Sequence, residues 1–165
     1  MTSLLPKPKI LAIGGAGIKI ATRLRDSSLQ DFDILGFDLT ATPAPFEVLS
    51  IGGGNLEFFG SGGDPDVTHR AAEERKAEIE AKLHGTSLIY IIAGLGGGTA
   101  SALAPVIAEA ATKSGALVFA FVSLPFAIEG SRRQTQAKEA LSQLRQSGAV
   151  VITLPNDILL RWAPE

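Results

Sequence analysis

The sequence predicts an α/β domain of three layers, α/β/α, doubly wound around a mostly parallel sheet. Three observations predict it. Apolar runs of strand length alternate with longer helical patterns, as parallel strands joined by crossover helices require. Nearly every unusual loop directly follows one of those runs. The chain has 165 residues and no cysteine, enough for one domain that buries roughly two-thirds of its unfolded surface without covalent staples.

Taken in order, Lys9–Ile13 is a strand closed by Gly14-Gly15-Ala16-Gly17, and a helix follows to about Asp26. Asp33–Asp38 is the second strand and ends on an acid. Residues 40–63 are irregular, with prolines at 43 and 45, glycines at 52–54, 60, 62 and 63, and a short strand at Glu47–Ile51. Asp64 caps the next helix with Pro65 at its first position. That helix runs to about Leu83, is charged on most sides and so belongs on the surface, and Gly85 stops it. Ser87–Ala93 is a buried strand. After Gly94–Ala102, a helix places Leu103, Val106, Ile107 and Ala110 on one face, with Pro105 predicting a late start or a loosened first turn. Leu117–Ser123 is a strand, PFAIEGSRR a loop, and Arg132–Ser147 a helix burying Ala137, Ala140, Leu141 and Leu144 and closed by Gly148. Ala149–Leu154 is the last strand, and Pro155-Asn156-Asp157 opens a short final helix.

Composition removes several kinds of function. Without cysteine there is no thiolate metal site, and the two histidines, His69 and His84, lack partners at ligand spacing. The net charge is −2 and Lys and Arg are scattered apart from Arg132–Arg133, so no basic stripe invites a nucleic acid. Residues 85–108 carry no charge, but the GLGGGTAS at their centre cannot face lipid with its backbone unsatisfied, so no membrane insertion is expected. MTSLLPKPKI lacks the pattern of a signal peptide, and a cytoplasmic location is expected.

The loops carry the functional signal. Gly94–Ala102 has the makings of a phosphate cradle: bare backbone, the hydroxyls of Thr99 and Ser101, and a helix N-terminus. A helix dipole contributes only about 0.3–2 kcal/mol, so several N–H groups must converge there. No G-x-x-x-x-G-K-[ST] pattern occurs. Gly15 and Gly17 after a strand, with Asp38 ending the second strand as a ribose-binding acid would, suggest a dinucleotide site, but Ile20 stands where the third glycine belongs. Glu129 can accept from ribose hydroxyls, Arg133 can stack on or bond a base, and Asn156 can meet a purine edge.

Together GGAG (14–17), GSGGDP (60–65), GLGGGTAS (94–101), PFAIEGSRR (125–133) and LPNDILL (154–160) resemble the tubulin/FtsZ family of GTP-binding proteins, over essentially the whole chain. The resemblance implies a Rossmann-like domain that binds GTP or GDP through loops, with Mg²⁺ carried by the nucleotide phosphates. Gly14, Gly15 and Gly17 with Gly96, Gly97, Gly98 and Thr99 would hold the phosphates, and Gly62 and Gly63 match the loop that senses the γ-phosphate. Glu129 would bind ribose, and Arg133 and Asn156 guanine; Lys19 and Asp38 complete the candidate set. The sequence departs from the family at Ala100 and Ala102, which put methyls where bare backbone is usual. It departs again at Ile18-Lys19 and at Asp38-Leu39-Thr40.

In the family the chain would continue past Glu165 into a central helix, a catalytic acidic loop and a second domain. Residues 1–165 are therefore expected to bind guanine nucleotide better than they hydrolyse it, with hydrolysis awaiting an acidic loop from a neighbouring subunit. The partners expected are guanine nucleotide and a second copy or a related filament subunit, with apolar surface near Leu159, Leu160 and Trp162 available for self-association. Two other readings compete: a degenerate relative that caps or modulates filaments, and an NAD-dependent enzyme, which leaves Gly94–Thr99 and PFAIEGSRR unexplained.

Overall fold

The computed structural model describes residues 7–27, 32–54, 56 and 60–162. The segment MTSLLP and the chain end at Glu165 lie outside the described residues. The elements are β1 (Lys9–Ile13), α1 (Gly14–Ser27), β2 (Asp33–Asp38), β3 (Glu47–Ser50), α2 (Pro65–Glu74), α3 (Lys76–Leu83), β4 (Leu88–Gly94), α4 (Gly98–Lys113), β5 (Leu117–Leu124), α5 (Ser131–Gln146) and β6 (Val150–Pro155). Two 3-10 turns, Ala127–Glu129 and Asn156–Arg161, follow β5 and β6.

The strands form one sheet in the order β3-β2-β1-β4-β5-β6, and every pairing is parallel. The order reverses between β1 and β4, the place where a doubly wound sheet opens a crevice at the carboxyl ends of its strands.

Alternation along the strands divides the core into two faces. Leu11, Ile13, Leu35, Phe37, Ile89, Ile91, Val118, Ala120 and Val122 turn toward the face covered by α2–α5. Ile10, Ala12 and Ile34, with half-buried Tyr90 and Ile92, turn the other way, where α1 contributes Ile18 and Ala21. Among the described residues α1 is the whole of this third layer, and it packs on β1, β2 and β4. The same face of β5 and β6 stays open: Leu117, Phe121, Val150, Ile152 and Leu154 are 36–57% exposed.

Helix α4 is the centre of the covered face. It touches α2, α3, α5 and the strands beneath, and burial surrounds it, from Gly98 through Pro105 to Ala111. This explains a departure from expectation: α4 begins at Gly98 and runs through Pro105 without a late start. The ring forfeits the bond to the Ser101 carbonyl, but packing on several sides outweighs one lost hydrogen bond. The GGAG segment likewise forms the first turn of α1 and not a loop before it. The single helix expected up to Leu83 is two, broken at Arg75, whose backbone (φ −105°, ψ 12°) leaves the helical region. Each piece turns its own small apolar set, Ala71 and Ala72 or Ile79 and Leu83, inward. Asp64 and Pro65 start α2 as the sequence predicts, the Asp64 carboxylate accepting the Asp66 N–H at 2.9 Å.

Candidate functional site

Two helix starts meet at the carboxyl edge of β1 and β4. Gly14 opens α1 with φ +69°, and a Cβ there would lie 3.1 Å from that of Ala100 in the first turn of α4. Gly17 lets α1 lie directly on β4, since a Cβ there would run into the Ile92 carbonyl oxygen. The Gly94–Gly97 turn is fixed from within: Gly96 holds φ +104° against Pro125, and its N–H donates to the buried Ser101 Oγ at 2.9 Å. A third segment closes the group. Residues 61–64 lie on Gly98, where a Cβ would strike Ser61 Oγ and come within 2.8 Å of the Gly63 carbonyl carbon.

Three stretches of bare backbone thus converge. The first N–H groups of a helix lack intrahelical acceptors, and neither α1 nor α4 carries an acid in its first turn to use or neutralise them. Gly97, the N-cap of α4, supplies no side-chain cap. Three glycines, Gly15, Gly97 and Gly53 after β3, combine open space with an ordinary backbone angle, and the first two lie at these helix starts. A Cβ at Gly15 or Gly97 would meet nothing within 4 Å, and neither has a positive φ. The fold asks for no glycine at either place, and at Gly15 a helical glycine costs up to about 1 kcal/mol against alanine. Each faces open space, and the chemistry beside it, N–H donors and a positive helix end, suits an anion.

Toward β5 and β6 the site is built on the PFAIEGSRR turn. Glu129 takes the Phe126 N–H on one carboxylate oxygen at 2.8 Å and Arg133 on the other at 2.5 Å. The Phe126 N–H, with the Arg133 guanidinium second, holds the Glu129 carboxyl below its ordinary range. Asp157 accepts the Ala127 N–H on both oxygens, tying the turn to the 3-10 segment that Asn156 opens. Glu129, Arg133 and Asn156 are therefore brought to one end of the site, with Glu129 and Arg133 paired to each other.

Asp38 is placed differently. It is buried, and its oxygens accept the Leu39 N–H and the Thr42 hydroxyl at 2.8 and 2.7 Å, so its carboxylate organises the turn after β2. Lys19 lies exposed on α1. Ala100 and Ala102 are both buried, and the Ala100 methyl stands beside Gly14. Half-buried Thr99 sits in the first turn of α4, and Gly62 and Gly63 shape the 61–64 loop with φ +60° and +82°.

Sequence reasoning missed Arg132 and Gln136. Both donate to the Gly63 carbonyl, at 3.1 and 3.0 Å; the Arg132–Arg133 doublet was their one visible trace. A concavity of about 640 Å³ at the opposite edge is lined by Arg25, Asp26, Phe32 and Asp33 among others, and among the described residues no helix start opens onto it.

Comparison with known proteins adds the following. Residues 7–164 match the model of the Tubulin/FtsZ family, GTPase domain. The chain is 36% identical over 167 residues to cell division protein FtsZ 2 of Rhizobium meliloti (strain 1021), covering 99% of this chain and 48% of that protein. It is 37% identical over 161 residues to cell division protein FtsZ 1 of Pyrococcus horikoshii, covering 94% and 43%. An empty FtsZ dimer from M. jannaschii superposes with TM-score 0.85 at 31% identity, covering 99% of this chain and 49% of that one. The chain spans about half the length of the curated relatives it matches.

Proposed function

Because the chain belongs to the Tubulin/FtsZ family of GTPase domains, we propose that it binds guanine nucleotide along the carboxyl edge of its sheet, as the nucleotide domain of a filament-forming, FtsZ-like cell-division protein. The observation that carries this reading is the pair Gly15 and Gly97, whose missing side chains serve no contact or backbone angle of the fold.

On this reading the α1 and α4 starts hold the phosphates by backbone N–H groups, with the Thr99 hydroxyl beside them. Gly62 and Gly63 present backbone to the terminal phosphate. Glu129 receives a ribose hydroxyl, and Arg133 and Asn156 meet guanine; Glu129 orients Arg133 before any ligand arrives. Magnesium, bound to the phosphates, would offset their charge. On this reading these residues bind and orient. Hydrolysis then depends on an acidic loop of a neighbouring subunit, supplied from the part of the relatives' length that this chain does not span. Asp38, buried and accepting one donor on each oxygen from Leu39 and Thr42, is committed to the turn after β2, which weighs against the exposed ribose contact that an NAD site would ask of it.

The test is calorimetric titration of the stripped chain with GTP, GDP, ATP and NAD in the presence of Mg²⁺. Guanine-selective binding is expected, and Arg133→Ala should lower the preference for GTP over ATP more than it lowers affinity for phosphate. Equal affinity for GTP and ATP, or binding of NAD alone, overturns the reading.

A further inference from the structure

Adjacent arginines at the start of α5 go to opposite ends of the site. Arg133 turns to Glu129, while Arg132 reaches back to the 61–64 loop and donates to the Gly63 carbonyl. Gln136, one helical turn on, donates to the same oxygen. Two donors from one helix face thus fill both lone pairs of one acceptor.

The loop they hold needs holding. Its own bonds are short-range: Ser61 Oγ accepts the Gly63 N–H at 3.2 Å, and the Ser61 carbonyl accepts the Asp64 N–H. Gly62 and Gly63 adopt left-handed backbone, and a Cβ on Gly62 would meet nothing within 4 Å. On one side the loop rests on Gly98; on the other stand Arg132 and Gln136. Consecutive glycines have many alternative conformations to lose, so the two long-range bonds select one of them.

We propose that Arg132 and Gln136 are positioning residues, a latch on the Gly63 carbonyl that presets the 61–64 loop for the terminal phosphate. This rests on the nucleotide reading above and deepens it: the two side chains control discrimination between nucleoside triphosphate and diphosphate without touching base or ribose. Released from the latch, the loop must be ordered by the ligand. Only the triphosphate draws on that loop, so only its affinity falls.

The experiment measures GTP and GDP affinities, with Mg²⁺, for the parent chain, Arg132→Ala/Gln136→Leu and Arg132→Lys. The double variant should bind GTP about tenfold more weakly and GDP within about twofold of the parent, with guanine preference kept. Arg132→Lys, still a donor, should retain most of the GTP affinity. Hydrogen exchange on the nucleotide-free chains gives an independent readout, with amides 62–64 losing protection in the double variant. Parallel losses of GTP and GDP affinity, or an unchanged ratio in a chain that binds both, overturn the latch alone. A parent that binds neither nucleotide overturns the nucleotide reading and the latch with it.

Discussion

Glycine does two separate jobs in this site, and substitution separates them. Gly17 and Gly98 are glycines because another backbone lies where a side chain would go. Gly17→Ala or Gly98→Ala should cost about 1–3 kcal/mol by overpacking, read as a lowered midpoint of thermal or urea unfolding. Gly15 and Gly97 face open space. Gly15→Ala should stabilise the chain by about 0.4–1 kcal/mol while weakening GDP binding, and Gly97→Val should fold like the parent yet lose GDP. A substitution that gains stability and loses ligand marks a glycine kept for binding. The sequence made the cluster visible as a cradle. It could not assign each glycine its job, because the atoms that decide, Ile92 for Gly17 and Ser61 for Gly98, approach from distant parts of the chain. The same blindness hid Gln136, whose partner is the backbone of Gly63.

At the scale of elements, the turn between β5 and α5 is held by acids. Glu129 accepts the Phe126 N–H and Arg133, and Asp157 accepts the Ala127 N–H. The Glu129 carboxyl titrates below its ordinary value in the folded chain, first through the Phe126 N–H and then through Arg133. The sign follows: its contribution is present above the unfolded value of about 4.3 and is lost as pH falls through the lower folded value. An NMR titration should show the Phe126 amide moving with an apparent pKa below the ordinary glutamate value, and Glu129→Gln should abolish that step. Strands were the most legible elements, since a continuous apolar run tolerates little else: β1 and β2 fall where the sequence puts them. Helix interruptions were the least legible. Pro105 breaks nothing because α4 is packed on several sides, whereas the unremarkable Arg75 separates α2 from α3.

At the scale of the molecule, the two faces of the sheet are unequal. The face under α2–α5 is a packed core. On the other, Tyr90 stacks on Phe119 at 5.8 Å, and a groove of about 340 Å³ runs among Ile20, Leu24, Phe121 and Leu154. The layer count was legible from the alternation of runs, but how far α1 reaches across the sheet was not. The open face should bind a hydrophobic reporter dye in the native state. Phe121→Lys/Leu154→Lys should reduce that fluorescence several-fold; Leu154→Lys alone, at a side chain 57% exposed, should shift unfolding by no more than about 0.5 kcal/mol, and Phe121→Lys, which removes a ring packed on Tyr90, by more.

The strand order has a temporal consequence. Lys9 of β1 pairs on one side with Asp33 and on the other with Ile89. A ribosome therefore releases β1, β2 and β3 as one wing before the strand that completes the centre has been made. Parallel pairings across such separations close slowly, and vectorial synthesis favours early units that can hold themselves together. The glycine-lined start of α1 emerges with that first wing, and the cradle is finished only when α4 arrives. Assembly of this glycine-lined edge is then a late event in the life of the nascent chain.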